Sequence, residues 1–465
     1  VGILHSGLSS GERFDEWSAA REGRVRVIVG TRSAVFCPLD NIGLIVVDEE
    51  HDPSYKQDDP APRYHARDVA AYRAAAVGAV AVFGSATPSL ESYWNSRTGK
   101  YDLLTLPERA VQHGLPELSL IDMRARAENE SVVSQELVDA CRACLDRSEQ
   151  AILFLNRRGF ATNLLCRHCG ETITCEKCSV ALVYHQDQRR LRCHHCGFSR
   201  PEPTRCPSCS QEWLKYKGVG TEQVVEVMEQ LLPGVRVGRM DTDTVQTRTA
   251  YNDLFSALAR GEMDILVGTQ MIAKGLDFGG VSLVGVICAD MALFFEDFRA
   301  AERTFALLTQ VAGRAGRGRT AGKVLIQTYC PQHYSVRAAL DQNYQAFFDQ
   351  EIRYRKLLSL PPYRRLVNIR ISSGEEAIAK ATAFELSNAI RLAFDELGIR
   401  TVRIIGPGEC PIYRVRNQFR WQLAIAGRSQ TDNARVLTHA AVQKHIRSAK
   451  SKLKITVDVD PQSFL

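Results

Sequence analysis

Between Cys166 and Cys209 the chain places eight of its 14 cysteines in four consecutive C-x₂-C pairs: Cys166/Cys169, Cys175/Cys178, Cys193/Cys196 and Cys206/Cys209. Eight paired thiols supply two tetrahedral sets of soft ligands, the donor requirement of two Cys₄ zinc sites. Turn formers accompany them. Gly170, Gly197, Pro207 and Ser208 let backbone N–H groups face the sulfurs. An iron–sulfur cluster is the lesser alternative. No secretory signal and no apolar run of about 18 residues is visible, so the pattern reads as metal ligation in a cytoplasmic chain, not as a disulfide framework.

The segment SVALVYHQDQRRLR lies between the two inner pairs and alternates apolar and polar residues around a polar turn near residues 186–188. That alternation predicts a hairpin. A hairpin brings its ends together, so Cys175, Cys178, Cys193 and Cys196 are expected to form one site. Cys166, Cys169, Cys206 and Cys209 then close a second site around it. Four ligands each leave no open coordination position, so both zinc ions are expected to be structural. Cys141 and Cys144 repeat the spacing inside VDACRACLDRS, but this segment has the pattern of an amphipathic helix with packed or surface thiols.

A chain of 465 residues should hold two to four domains, and a net charge of +6 is compatible with nucleic acid without demanding it. The chain enters in mid-pattern at Val1, so residues upstream are expected. Short apolar runs alternate with helical stretches over residues 1–100, with strands at 25–30, 42–50 and 79–87 and helices around 13–21 and 66–76. A second such layer has strands at 150–156, 235–241, 264–270, 282–290 and 322–329, and the cysteine pairs interrupt it. From about residue 340 the order becomes βαββαβ-like.

Four loops at strand ends carry the chemistry. Asp48-Glu49-Glu50-His51 follows IGLIVV, which suits nucleoside triphosphate hydrolysis: Asp48 to hold Mg²⁺ through water, Glu49 to orient or deprotonate the attacking water. Gly84–Thr87 (GSAT) ends the next strand, and Thr31 and Arg32 of GTRSA follow an earlier one, positioned for phosphate. In the second layer come GTQMIAKGLDF (268–278) and then QVAGRAGRG (310–318), whose Arg314 and Arg317 are spaced to share one helical face as arginine fingers.

DEEH, GSAT, GTQMIAKG and QVAGRAGR resemble motifs of superfamily 2 helicases. With the cysteine-rich insertion, FLNRRGF (154–160), ALFFEDFRAAER (292–303) and DVDPQSFL (458–465), the whole chain resembles the PriA family of bacterial replication-restart helicases. The resemblance implies an α/β fold of two RecA-like helicase lobes, the first incomplete, with a double-zinc Cys₄ insertion in lobe two and a small α+β C-terminal domain. Lobe one would cover residues 1–105, lobe two 106–162 and 213–335, the zinc insertion 163–212 and the last domain 340–465. It further implies an ATP- and Mg²⁺-dependent 3′→5′ DNA helicase acting at stalled forks, monomeric, with forked and single-stranded DNA, single-stranded-DNA-binding protein and other primosome proteins as partners.

By the same resemblance Gln310 joins Asp48, Glu49, Arg314 and Arg317 in catalysis, and Gly275 joins the nucleotide site. Thr269 faces nucleic acid. Within the loop SYKQDDPAPRYHARD (54–68), Tyr55, Lys56, Tyr64 and Arg67 are candidates for base stacking and phosphate contact. No G-x-x-x-x-G-K-[ST] occurs in the chain, so these residues alone are expected not to hydrolyse ATP. The competing reading is a non-catalytic fork-binding scaffold for primosome assembly.

Overall fold

The computed structural model describes residues 1–106, 116–125, 131–155, 163–166, 173–177, 182–185, 190–193, 198–212, 214–217, 220–241, 244–245, 248–269, 272, 279–290, 293, 297–315, 322–447 and 452–464. The largest layer is a six-stranded sheet, parallel throughout, in the order Val237–Met240, Ile265–Gly268, Gln150–Leu155, Val281–Ile287, Lys323–Thr328, Glu117–Asp122. Its central strands QAILFL and VSLVGVI are near-continuous apolar runs, as a sheet covered on both faces requires. Helices Gln135–Asp146 and Thr221–Leu231 cover one face, where Leu137, Val224 and Met228 pack on Leu153 and Val267. On the other face Phe305 and Leu308 of helix Ala300–Ala312 pack on Ile152, Val284 and Ile326. Gly285 permits close approach: a Cβ there would meet Leu137 Cδ1 and Leu153 Cδ2, each at 2.7 Å.

Helix Gln135–Asp146 buries both Cys141 and Cys144, with Cys144 Sγ 3.3 Å from Ser282 Oγ. Burial, with Cys144 adjacent, pushes the Cys141 thiol up to about 12, which marks it as an inert packing group. The edge strand Glu117–Asp122 was not expected from the sequence. Its ELSLID is short, half polar and only partly buried, and the alternation becomes meaningful once Lys323–Thr328 lies beside it.

The first layer is the smaller one. It consists of two parallel pairs, Gly2–Leu4 with Ile28–Gly30 and Leu44–Val47 with Val80–Phe83. Helices Ser10–Arg21 and Ala66–Val77 cover one side of these pairs. Ile3, Val29, Leu44, Val46, Val80 and Val82 line the other side and are 41–60% exposed. An aromatic cluster ties this layer to the second: Tyr93 meets Tyr344 at 5.0 Å and Phe348 at 4.6 Å, and Tyr344 Oη donates to Pro88 O at 2.6 Å. The helix Tyr344–Leu358, although beyond residue 340, thus packs with the large sheet through Phe347 on Phe305.

The cysteine-rich segment forms a five-stranded antiparallel sheet: Ser199–Pro201, Arg190–Arg192, Val183–His185, Asn163–Cys166, Leu214–Lys217. The inner hairpin of Val183–His185 with Arg190–Arg192 has the alternating pattern's geometry, its turn lying outside the described residues. The last unit is a four-stranded antiparallel sheet in the order Arg403–Val415, Gln418–Gly427, Arg365–Ser373, Leu453–Val459. Helix Glu376–Glu396 and the pair Gln430–Thr438 and Ala440–Arg447 supply Leu386, Ile390, Val436 and Val442 to its core.

Candidate functional site

The acidic loop stands where the topology places ligands, at the carboxyl end of a parallel strand. Asp48 follows Leu44–Val47 and is exposed, with its Oδ1 accepting from Glu49 N at 2.9 Å. Glu49 has φ +47°, a left-handed conformation that a non-glycine residue adopts at a cost of about 1–3 kcal/mol. Its Oε2 is buried, accepts no hydrogen bond and lies 3.5 Å from His51 Nδ1. A carboxylate oxygen held without a donor beside an exposed aspartate fits a water and a divalent cation chemically.

His51 joins three motifs. Its Nδ1 is 2.7 Å from Ser85 Oγ of GSAT, and its Nε2 is 3.1 Å from the Gln310 side-chain amide nitrogen, which belongs to helix Ala300–Ala312 of the other layer. An amide nitrogen only donates, so Nε2 accepts and Nδ1 carries the proton toward Ser85. Ser85 in turn accepts from Thr87 N at 2.9 Å.

Glu50 has a different task from its two neighbours. It is 1% exposed and accepts from Ser89 N at 2.6 Å, Ser89 Oγ at 3.0 Å, Ser92 Oγ at 2.9 Å and Arg67 Nη1 at 3.0 Å. Arg67 also donates to Ser89 Oγ at 2.6 Å. Sequence reasoning passed over Glu50 because three adjacent acids after a strand do not reveal which one points inward.

A second ionic chain crosses between the layers. Arg299 forks onto Glu91 at 2.7 and 3.1 Å and reaches Glu302 at 2.9 Å; Glu302 takes Leu90 N at 3.0 Å and Arg355 at 3.0 Å. Glu91, Arg299 and Glu302, with His51, Gln310 and Thr87, line a cleft of about 1030 Å³ between the two layers and the C-terminal sheet.

The loop after the acidic motif folds back as a small hairpin, with Lys56 bridged to His65 and Gln57 N donating to Tyr64 O at 2.8 Å. Tyr55 Oη donates to Asp48 O at 2.7 Å, so an aromatic residue of the loop touches the acidic motif directly. Arg32 donates to Ser54 O at 3.1 Å and Lys56 O at 2.8 Å, and Tyr64 packs edge-on against Phe36 at 4.7 Å. Thr31 is exposed at the start of the turn Arg32–Phe36.

Several residues expected to contact nucleic acid have partners within the fold. Arg67 is buried and committed to Glu50, since an inward guanidinium needs a paired carboxylate. Thr269 is 6% exposed, held behind Met240, whose carbonyl accepts its N–H at 3.2 Å. Lys56 is 3% exposed, donating to Val459 O at 2.6 Å with Asp458 Oδ1 at 2.8 Å; the charge is neutralised by the C-terminal sheet. Arg314 lies in a turn beyond the helix end at Ala312. Gly313 ends that helix by its poor helical propensity. Arg317 and Gly275 lie outside the described residues.

His65 caps helix Ala66–Val77, its Nδ1 accepting from Arg67 N at 3.3 Å. Burial and then the Arg67 charge lower its pKa from 6.5 to about 3, so the ring is neutral when folded. Below pH 6.5 the unfolded chain takes a proton that the folded ring refuses. The cap is therefore worth its full amount above 6.5 and loses it as pH falls toward 3, with about 2 kcal/mol gone at pH 5. In urea titrations between pH 7.5 and 5, the His65→Asn variant, which can still cap, is expected to show a flatter decline than the parent.

Among the eight paired cysteines, Cys175, Cys193, Cys206 and Cys209 have described side chains. Cys175 and Cys193, one from each inner pair, are buried in one apolar cluster with Ile173, Leu182 and Leu191. Lys177 N donates to Cys175 Sγ at 3.4 Å, the backbone-to-sulfur bond of a metal knuckle. Around Cys206, Cys206 N donates to Gln211 O and Ser210 N to Cys206 O, both at 2.8 Å. Cys166 ends the strand whose partner begins at Leu214, so the chain entering the outer pairs lies beside the chain leaving them. The donor set and its burial fit zinc.

Residues 356–462 match the Primosomal protein N C-terminal domain, 175–201 the PriA DNA helicase Cys-rich region domain and 216–319 the Helicase conserved C-terminal domain. Replication restart protein PriA of Treponema pallidum is 38% identical over 469 residues, covering 100% of this chain and 69% of that protein. The chain belongs to the PriA family. The PriA proteins of Bacillus subtilis and Synechocystis are each 42% identical across 100% of this chain, which spans 57% and 56% of their respective lengths. The PriA Cys-rich match includes Cys175, Cys178, Cys193 and Cys196, the four residues that the sequence pattern groups into an inner site. Among the described residues no helix is long and apolar enough to cross a membrane.

Proposed function

We propose that this PriA-family chain is the greater part of an ATP-dependent 3′→5′ DNA helicase that binds branched DNA at stalled forks and starts primosome assembly. The observation that carries this reading is His51, hydrogen-bonded to Ser85 on its own layer and to Gln310 on the opposite one, one residue beyond Glu50 and beside the acidic pair. A nucleotide between the layers would alter that bridge, and Tyr55 on the Asp48 carbonyl extends it to the loop expected to meet DNA.

Asp48 would hold Mg²⁺ through water, the cation neutralising charge that develops on the phosphoryl group. Glu49 orients the attacking water, and Gln310 with Arg314 and Arg317 faces the nucleotide from the second lobe. Gly275 is assigned to nucleotide binding on family grounds. Thr31, Arg32, Tyr55 and Tyr64 are the loop and strand-end groups assigned to nucleic acid.

Cys175, Cys178, Cys193 and Cys196 hold one structural zinc and Cys166, Cys169, Cys206 and Cys209 the other. The division into a partial lobe one, lobe two, zinc insertion and C-terminal domain is supported by the grouping of the five sheets into two small parallel pairs and the six-, five- and four-stranded sheets. Single-stranded-DNA-binding protein, other primosome proteins, a monomeric state and a cytoplasmic location complete the reading on family grounds.

The test is fluorescence anisotropy with forked, duplex and single-stranded oligonucleotides across a salt series. Forked DNA is expected to bind at least about tenfold tighter than blunt duplex, and log K to fall linearly with log salt. Equal affinity for all three would remove fork recognition. DNA-stimulated ATP hydrolysis by residues 1–465 in isolation would contradict the expectation that a phosphate loop must be supplied.

A further inference from the structure

The two residues between Cys175 and Cys178 make contacts that the metal site itself does not need. The strands Arg403–Val415 and Gln418–Gly427 of the C-terminal sheet join through a two-residue turn, Arg416 at φ +50° and Asn417 at φ +60°. Two successive left-handed residues make the tight turn whose twist matches a hairpin, so the tip has a defined shape. That tip reaches the cysteine-rich sheet. Asn417 N donates to Lys177 O at 2.8 Å, and Arg414 Nη2 donates to Glu176 O, also at 2.8 Å. Val415 packs against the cluster that contains Cys175 and Cys193.

Both carbonyls of the knuckle between the two cysteines are therefore occupied by the hairpin tip, while the Lys177 N–H faces Cys175 Sγ at 3.4 Å. One short loop presents its N–H side to the sulfur and its carbonyl side to the C-terminal domain. A peptide loop of this kind is ordered by its metal: without the ion, the thiols repel or rotate away and the carbonyl directions are no longer set. The C-terminal sheet has its own core of Val367, Ile369, Leu386 and Ile425, so it does not depend on the knuckle for folding. Its hairpin tip does depend on the knuckle for a partner.

We infer that the inner zinc knuckle is the docking surface for the C-terminal domain, with the Arg414–Asn417 tip as the docked element, so that metal occupancy sets where that domain sits. This rests on the zinc assignment of Cys175, Cys178, Cys193 and Cys196. Because coupling free energies are reciprocal, the hairpin also holds the metal: a tip that cannot dock leaves the inner zinc less tightly bound.

The experiment uses the full 465-residue chain, reduced and zinc-loaded, with zinc measured by a chromophoric chelator and backbone protection by hydrogen exchange. On removal of both metal equivalents, amides of residues 412–420 are expected to exchange at least about tenfold faster, while Leu453–Val459 of the same sheet keeps its protection. In Val415→Asp, one of the two zinc equivalents is expected to leave at least about threefold faster and the other at the parental rate. Arg414→Ala, a milder surface change, should move the same equivalent in the same direction. Unchanged exchange at 412–420 after metal removal, or identical release of both equivalents in both variants, overturns the docking. A chain that takes up no zinc fails at the metal assignment and takes the docking with it; two equivalents bound with no coupling refutes the docking alone.

Discussion

Replacing Arg299 with leucine is expected to destabilise the contact between the two helicase layers by about 3–5 kcal/mol, the cost of leaving a buried carboxylate without its partner. Arg299 is 6% exposed and its fork meets both Glu91 oxygens, so the variant strands a largely buried Glu91 carboxylate without its closest cation. Burial alone would raise the Glu91 pKa. The charges of Arg299, Arg355 and Arg67 outweigh it and hold the carboxyl below its ordinary 4.5. A carboxylate with a depressed folded pKa adds stability that is complete above the unfolded value of 4.5 and disappears as pH falls below it. Urea unfolding followed by tryptophan fluorescence should show the parent losing this increment in acid. Arg299→Leu should lack it at every pH. The double variant Glu91→Leu/Arg299→Leu should recover part of the loss, because an apolar pair of similar volume leaves no unpaired charge. If the double variant is as unstable as the single one, packing of the Arg299 stem and not its charge holds the layers together.

What could be read from residues alone followed the range of the interaction. The second-layer strands are apolar over their whole length, so QAILFL and VSLVGVI announce buried parallel strands without any partner in view. The inner hairpin was legible for the same local reason, because its alternation and polar turn both lie within 14 residues of SVALVYHQDQRRLR. The edge strand Glu117–Asp122 was not, since its ELSLID gains meaning only from Lys323–Thr328, some 200 positions away. Lys56 and Arg67 show the same limit. A basic residue in an aromatic loop looks ready for phosphate until the fold brings Asp458 and Glu50 to it. Arg314 was placed on a helix because the i, i+3 spacing is local, whereas the helix end at Ala312 is set by Gly313 and by the turn that follows. The Glu91–Arg299–Glu302 chain joins residues separated by more than 200 positions, and nothing in ALFFEDFRAAER marks which charge turns inward.

Replacing Glu49 with glutamine, in a form of the protein that supplies a phosphate loop, is expected to lower DNA-stimulated ATP hydrolysis by about 10²–10⁴-fold, the usual contribution of a positioned general base. Forked-DNA affinity should stay within about twofold, because the change removes one charge from the acidic motif and leaves the side chains of Tyr55 and Tyr64 in place. The backbone adds a second, independent readout. Glu49 holds φ +47°, which glycine adopts freely and glutamate does not. Glu49→Gly is therefore expected to abolish hydrolysis as completely as Glu49→Gln, yet to leave stability unchanged or raise it by up to about 1 kcal/mol in urea unfolding. Opposite signs on activity and stability at one residue are the mark of strain kept for function. A Glu49→Gly chain that is both inactive and markedly less stable would assign Glu49 a structural role like that of Glu50. A Glu49→Gln protein that hydrolyses ATP at the parental rate would leave the acidic loop without a catalytic base and favour a fork-binding scaffold.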